Sequence, residues 1–321
     1  MGDRVLRHVL ESISPASAAH AEGARLHIAG AGIPLLERLA MLVGGAQHTP
    51  RPRAERRMIV VVAGDHGAGD PGIALGASHP TVIAARAIAD GSAALAQMAR
   101  ASKTPILLVD AGAKEGAHMP ASAVKLGRGA SSDLTRGPAM TIVDAALGLE
   151  AGIALAISLA DPGLDVLAIG AIGVGADVAS MALLGAALGA APTGFSDPVA
   201  EAAGAAGAEL AGASGLDLLA AFGGPETAVL AGLIVTAASM NVPVVIDGYA
   251  TGAAALVAAA LAPQITGYLV AAHTGTFTQP RILAHLGIQP VFEVGLGHGE
   301  GTGAAMVLPL LDQVAALVTR G

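Results

Sequence analysis

Short, almost wholly apolar runs recur along the chain, each closing on or near a glycine or an acid. They occupy 58–62 before Ala63-Gly64-Asp65-His66-Gly67, 106–109 before Asp110-Ala111-Gly112, and 166–169 before Gly170. Three more lie at 242–246 before Asp247-Gly248, 268–270 before Ala271-Ala272-His273, and 291–294 before Gly295. Apolar runs without polar alternation predict strands buried on both faces. Between most of them lie alanine-rich stretches of helical length, 84–100, 177–188 and 226–240, with a further buried helix at 249–261 and a closing one at 304–310. At the start, Leu6, Val9, Leu10 and Ile13 keep helical spacing, and 3–42 predicts two helices separated by a small-residue break at 14–19. Strands alternating with helices predict an α/β fold with a mainly parallel sheet and helices on both faces. Ligands bind beyond the carboxyl ends of the strands in such sheets. The site is therefore expected to draw on Asp65, His66, Asp110, Asp247 and His273.

Composition narrows this picture. The 321 residues are 53% hydrophobic but 2% aromatic, with 44 glycines and no tryptophan, so alanine, valine and leucine must fill the core. Of the most apolar stretches, 226–247 is broken by Asn241 and Pro243, and 249–261 is too short to span a bilayer; no membrane association is expected. A net charge of −8 with few aromatics argues against a nucleic-acid surface. Arg51, Arg53, Arg56 and Arg57 read as a solvated loop before a strand. Without cysteine there is no disulfide or thiolate metal site. The first residues carry acids and a helical period rather than a signal peptide's apolar run, which makes the cytoplasm the default compartment. Small residues around Glu201 and Glu209 in 199–213 suit a surface helix, and the polar, glycine-rich 125–138 reads as a long loop.

Two glycine clusters carry candidate chemistry. Gly170-Ala171-Ile172-Gly173-Val174-Gly175 follows a strand and precedes a helix, so it reads either as a cradle of backbone N–H groups for an anion or as a plain tight turn. It is neither a GxGxxG fingerprint nor a lysine-bearing P-loop. The second is Gly295-Leu296-Gly297-His298-Gly299-Glu300-Gly301-Thr302-Gly303. Its carboxylate is either a general base near a strand end or a complement to the following helix dipole. Asp65-His66 alone is not a metal ligand set, and the histidines show no HxxxH spacing. Neither a metal nor a cofactor is expected.

Several segments together resemble the nicotinate-nucleotide–dimethylbenzimidazole phosphoribosyltransferase family. They are Val60-Val61-Val62-Ala63-Gly64-Asp65-His66-Gly67, Arg136-Gly137-Pro138-Ala139-Met140-Thr141 and Leu164-Asp165-Val166-Leu167-Ala168-Ile169-Gly170. The most specific is Ala221-Phe222-Gly223-Gly224-Pro225-Glu226, with the stretch 242–248 before Tyr249, and Gly299-Glu300-Gly301-Thr302-Gly303-Ala304-Ala305 closes the set. The resemblance implies a homodimeric enzyme with a large Rossmann-like domain at 46–300 and a small helical domain built from the terminal segments 1–45 and 301–321. It implies transfer of phosphoribose from nicotinate mononucleotide to a benzimidazole-like base, giving the α-ribotide of the cobalamin lower ligand, without a metal. It assigns Glu300 as the catalytic base; with the strand-end architecture and the glycine clusters, Asp65, His66, Gly173, Val174, Gly175, Thr193, Gly194, Asp247, His273, His298 and Gly299 are expected to bind the small-molecule substrates. The chain also departs from the family. Ala171, Ala202 and Gly297 stand where a glutamate, a lysine and an arginine are usual, and Ala176-Asp177-Val178 replaces an Asn-Thr-Thr.

Overall fold

The computed structural model describes residues 2–68, 72–127, 129–193, 198–276, 278–297 and 299–319. Three helices open the chain, α1 (Gly2–Ser12), α2 (Ala18–Ile28) and α3 (Pro34–Ala46), where the apolar spacing predicts two. The extra break falls at Gly32, which takes the left-handed conformation (φ 66°), and Pro34 starts α3 at a position where its missing N–H is not needed. The α/β part then runs β1 (Arg57–Gly64), α4 (Pro80–Asp90), α5 (Ala94–Ala101), β2 (Ile106–Gly112), β3 (Val124–Lys125), α6 (Ile142–Ala160), β4 (Val166–Ile172), α7 (Ala176–Leu188) and α8 (Pro198–Glu209). It continues through α9 (Gly215–Phe222), α10 (Pro225–Ser239), β5 (Val244–Ile246), α11 (Gly248–Leu261), β6 (Leu269–His273), α12 (Thr278–Leu286), β7 (Pro290–Phe292) and α13 (Thr302–Thr319). The helix expected at 84–100 is two, because Gly91 turns left-handed (φ 84°) and closes α4. The loop expected at 125–138 begins inside β3, a two-residue edge strand.

Seven strands form one sheet in the order β3-β2-β1-β4-β5-β6-β7, and every pairing is parallel. The sheet is buried on both faces, and strand residues alternate between two cores. Val60, Val62, Leu167, Ile169, Val244 and Ile246 meet the helices α6, α10 and α11 on one face. Ile59, Val61, Val166, Ala168, Val245 and Val270 meet α2, α3 and α13 on the other. The apolar stretches at 226–240 and 249–261 become α10 and α11, both core helices. By length and apolarity alone, α6 and α13 could cross a membrane. α6 packs chiefly on α10 and leaves Ile142, Val143, Leu147 and Ile157 exposed.

Small side chains let the outer helices approach closely. α8 is the expected surface helix, with Glu201 and Glu209 exposed and Ala200, Ala203, Gly204 and Gly207 buried against α7. A Cβ at Gly207 would sit 1.8 Å from the carbonyl oxygen of Ala182. α6 and α9 start on reciprocal caps. Thr141 Oγ1 accepts the Asp144 N–H at 3.1 Å and donates to its carboxylate at 2.6 Å, and Ser214 and Asp217 repeat the arrangement.

Candidate active site

Strand order reverses between β1 and β4, because the chain runs from β1 outward through β2 to β3 and then returns to the far side of β1. At such a switch point the loops leave in opposite directions and open a crevice. Asp65 and His66 follow β1, and Gly173, Val174 and Gly175 follow β4. The two loops are stapled together. The His66 N–H donates to the Val174 carbonyl at 2.8 Å, and the Val174 N–H donates to Asp65 Oδ1 at 3.0 Å. A Cβ at Gly173 would lie 1.7 Å from the Gly64 carbonyl oxygen, so no larger residue fits there. Gly175 is left-handed (φ 81°) and leads directly into the N-terminus of α7, which has no side-chain cap and carries Asp177 in its first turn.

Asp65 is buried and serves as the hub of this crevice. It also accepts the Thr81 hydroxyl at 2.5 Å and the Lys114 N–H at 2.7 Å, and His79 Nε2 lies 3.8 Å away. It thus ties α4 and the segment after β2 to the end of β1. Asp110, at the end of β2, accepts the Ala113 N–H at 2.9 Å.

Beside Asp65, the His66 Nε2 and Glu226 Oε1 lie 2.9 Å apart, both side chains almost wholly enclosed. The Thr227 hydroxyl donates to the same Glu226 oxygen at 2.8 Å. Burial pushes the His66 imidazole down, but the Glu226 carboxylate beside it outweighs this and holds it above the usual histidine value. Burial likewise pushes Glu226 up, and the charge and hydrogen bond of His66 bring it below the usual carboxylate value. Both directions favour an ion pair. Glu226 Oε2 has no hydrogen-bond partner among the described residues, and Glu226 borders a cavity of about 30 Å³. That space also touches Ala171, Gly173, Tyr249 and Gly299, so it lies between the two glycine clusters. Burial, with Asp177 and Glu226 nearby, raises the Tyr249 phenol and keeps its proton on.

The second glycine cluster lies across the end of β4. The Ala171 N–H donates to the Gly299 carbonyl at 2.9 Å, and a Cβ at Gly170 would meet the Glu300 carbonyl at 2.4 Å. Glu300 is half-buried on this seat, immediately before α13. Asp247 and His273, from the ends of β5 and β6, are fully buried behind it, with Asp247 Oδ1 2.7 Å from His273 Nε2.

Of the residues expected at the site, Asp65, His66, Gly173, Val174, Gly175, Asp247, His273, Gly299 and Glu300 thus gather at the ends of β1, β4, β5 and β6. Thr193 is exposed between α7 and α8, while Gly194 and His298 lie outside the described residues. Glu226, Lys114 and Tyr249 belong to the same neighbourhood without being expected site residues, and Thr81 lies in the segment 72–82 expected to line the base pocket. The clearest available signal was Glu226, an acid opening an otherwise apolar helix that has to find a buried partner. A larger cavity, about 520 Å³, lies toward β2 and is lined by Ala111, Gly127, Ser131, Asp144 and Pro225 among others, with none of the expected residues. Pro225 and Glu226, consecutive at the start of α10, border one cavity each.

Comparison with known proteins matches a family model described as phosphoribosyltransferase to residues 13–320. The chain is 32% identical over 334 residues to the nicotinate-nucleotide–dimethylbenzimidazole phosphoribosyltransferase of Desulforudis audaxviator, covering 98% of this chain and 94% of that one. It is 35% identical over 306 residues to that of a Roseiflexus species, covering 88% and 84%. Among solved structures, the nicotinate-nucleotide–dimethylbenzimidazole phosphoribosyltransferase of Thermus thermophilus superposes with a TM-score of 0.80 at 26% identity, over 94% of this chain and 96% of that one.

Proposed function

The chain belongs to the nicotinate-nucleotide–dimethylbenzimidazole phosphoribosyltransferase family, and on that footing we propose that it moves phosphoribose from nicotinate mononucleotide to a benzimidazole-like base, with Glu300 as the general base. It is a pentosyl-transferring enzyme of the cobalamin lower-ligand type. In the proposed step the bond from C1′ of ribose to the nicotinate nitrogen breaks while a bond from C1′ to the azole nitrogen forms on the opposite face. The nicotinate nitrogen is cationic in the donor and leaves as a neutral ring, so it needs no acid. The attacking azole carries a proton that must go, and the Glu300 carboxylate takes it.

The observation that carries this reading is the contact between the two glycine clusters at the switch point. It sets a glycine loop and a helix N-terminus beside a half-buried carboxylate. The donor phosphate is assigned to Gly173–Gly175, with Thr193 and Gly194 as further donors, and the base to the neighbourhood of Glu300, Gly299 and His298. The enzyme acts as a cytoplasmic homodimer in this reading, and sedimentation at micromolar concentration that gave a monomer would remove the dimer.

One observation favours a second reading, a relative that binds the nucleotide without transferring it. Among the described residues, no cation borders the small cavity between the clusters, and Ala171, Ala202 and Gly297 are all uncharged. Lys114, whose main chain is tied to Asp65, is a cation at the strand ends that could serve the phosphate. The deciding experiment incubates the protein with nicotinate mononucleotide and 5,6-dimethylbenzimidazole, follows nicotinate release and α-ribotide by chromatography and mass, and runs melting curves with each compound alone. Turnover supports the transferase. A rise in melting temperature with the nucleotide but no product across a panel of azoles supports the second reading.

A further inference from the structure

We propose that Asp247 and His273 are positioning residues, a buried clamp that holds the Glu300 peptide in place, rather than substrate contacts. The proposal rests on the reading of Glu300 as the base. Asp247 Oδ2 accepts the Gly301 N–H at 2.7 Å and the Gly303 N–H at 3.3 Å. One carboxylate oxygen, coming from the end of β5, thus grips the residue directly after Glu300 and the second residue of α13. An acid there also complements the α13 dipole from outside the helix. Oδ1 of the same carboxylate lies 2.7 Å from His273 Nε2, at the end of β6, a close ionic approach outside hydrogen-bond geometry. The Asp247 N–H donates to Thr251 Oγ1 at 2.8 Å, which fixes the clamp to α11.

On its other side the Glu300 peptide is seated on β4. A Cβ at Gly170 would come within 2.4 Å of the Glu300 carbonyl carbon and oxygen, and Gly299 is bonded to Ala171 at 2.9 Å. The backbone carrying Glu300 is therefore gripped between β4 and Asp247. Gly301 adopts a positive φ of 104°, so the turn itself depends on glycine and has little stiffness of its own. The clamp has no room for a substrate group. Asp247 and His273 are both 0% exposed, and a Cβ at Gly303 would lie 2.4 Å from Asp247 Oδ1 and from His273 Cδ2. Displacing a reacting group by about 1 Å can lower a rate on the order of a hundredfold, so the chemical step should feel a loosened clamp while binding does not.

The test measures kcat and KM for nicotinate mononucleotide in wild type, Asp247→Asn, Glu300→Gln and the double variant, with hydrogen exchange at the Gly301 and Gly303 amides. Asp247→Asn is expected to lower kcat roughly 10- to 100-fold at nearly unchanged KM, to speed exchange at both amides, and to add little in the Glu300→Gln background. A raised KM with kcat preserved would make Asp247 a substrate contact and overturn the clamp. So would a loss that multiplies fully with that of Glu300→Gln, or unchanged exchange at the two amides. If Asp247→Asn does not fold, His273→Gln, which leaves both Asp247 bonds in place, should show a smaller kcat loss of the same non-additive kind; wild-type kcat and exchange in it would overturn the proposal. Full activity in Glu300→Gln would remove the base assignment alone, because the exchange measurement judges the clamp without reference to turnover.

Discussion

His66 and Glu226 meet in a site walled by glycines. A Cβ at Gly64 or Gly224 would lie 2.5 Å from Glu226 Oε2, so the pair exists only because those positions carry no side chain. The pair's contribution to stability depends on pH in both directions. His66 is raised in the fold, so its part is fully present below the unfolded imidazole value and is lost as pH rises through the raised value. Glu226 is lowered, so its part is present above the unfolded carboxylate value and is lost as pH falls through the lowered one. The stability difference between wild type and Glu226→Gln should therefore be greatest between the two unfolded values, about pH 4.5 to 6.5, and shrink outside that window. Breaking one side of a buried pair costs roughly 3–5 kcal/mol. Urea unfolding across pH 4 to 9 checks this, and a flat difference would mean that the pair is not ionised. Glu300 tests a different role. As a base, Glu300→Gln should lower kcat by about a hundred- to ten-thousandfold with nucleotide binding kept. As a mere complement to the α13 dipole it would cost about 0.3–1 kcal/mol of stability and leave turnover alone.

At the level of elements, legibility followed burial. β1, β2 and β4 are continuous apolar runs because both of their faces are covered, and that makes them visible without any knowledge of the fold. β3 has two residues, both exposed, and exists only because Val124 and Lys125 find β2 beside them. α6 lies outside the helices that the apolar pattern predicts, although Thr141-Ile142-Val143-Asp144 is a reciprocal cap of the kind that marks a helix start. The site divided in the same way. Asp65-His66 and the glycine clusters end visible strands, whereas Glu226 sits in the first turn of α10, where an acid ordinarily answers the helix dipole and draws no attention. Its partner is 160 residues away in sequence, a separation no local pattern can bridge. Two substitutions separate the element-level forces. Thr141→Ala removes the α6 cap and should lower stability by about 1 kcal/mol. Gly207→Ala drives a methyl against the Ala182 carbonyl and should cost about 1–3 kcal/mol by forcing α8 off α7. Denaturant midpoints of the two variants should follow that order, and a harmless Gly207→Ala would show that the α7–α8 contact is looser than described.

For the molecule as a whole, the charge distribution sets how an anionic nucleotide arrives. The chain carries −8 at neutral pH, and Asp65, Asp110, Glu226, Asp247 and Glu300 all lie at or near the carboxyl ends of the strands. Among the described residues, the His66 imidazole is already engaged by Glu226, His79 and His273 lie against Asp65 and Asp247, and the lysines near these ends are Lys114 and Lys125. In the proposed reading, a phosphate entering this crevice relies on backbone N–H groups and the α7 dipole more than on a ring of side-chain cations. Those donors act at short range, while the net field of the protein acts over about 10 Å at 0.1 M salt and repels the ligand. Raising ionic strength from about 0.01 to 0.15 M shortens that range and should weaken the repulsion more than it weakens the enclosed contacts. The expected result is a kcat/KM for nicotinate mononucleotide that rises with salt, by about two- to fivefold, with kcat nearly constant. A site that captures its nucleotide with lysines and arginines gives the opposite slope. Initial rates in chloride salts at fixed pH decide between the two, and a falling kcat/KM would mean that cations such as Lys114 dominate the approach of the donor after all.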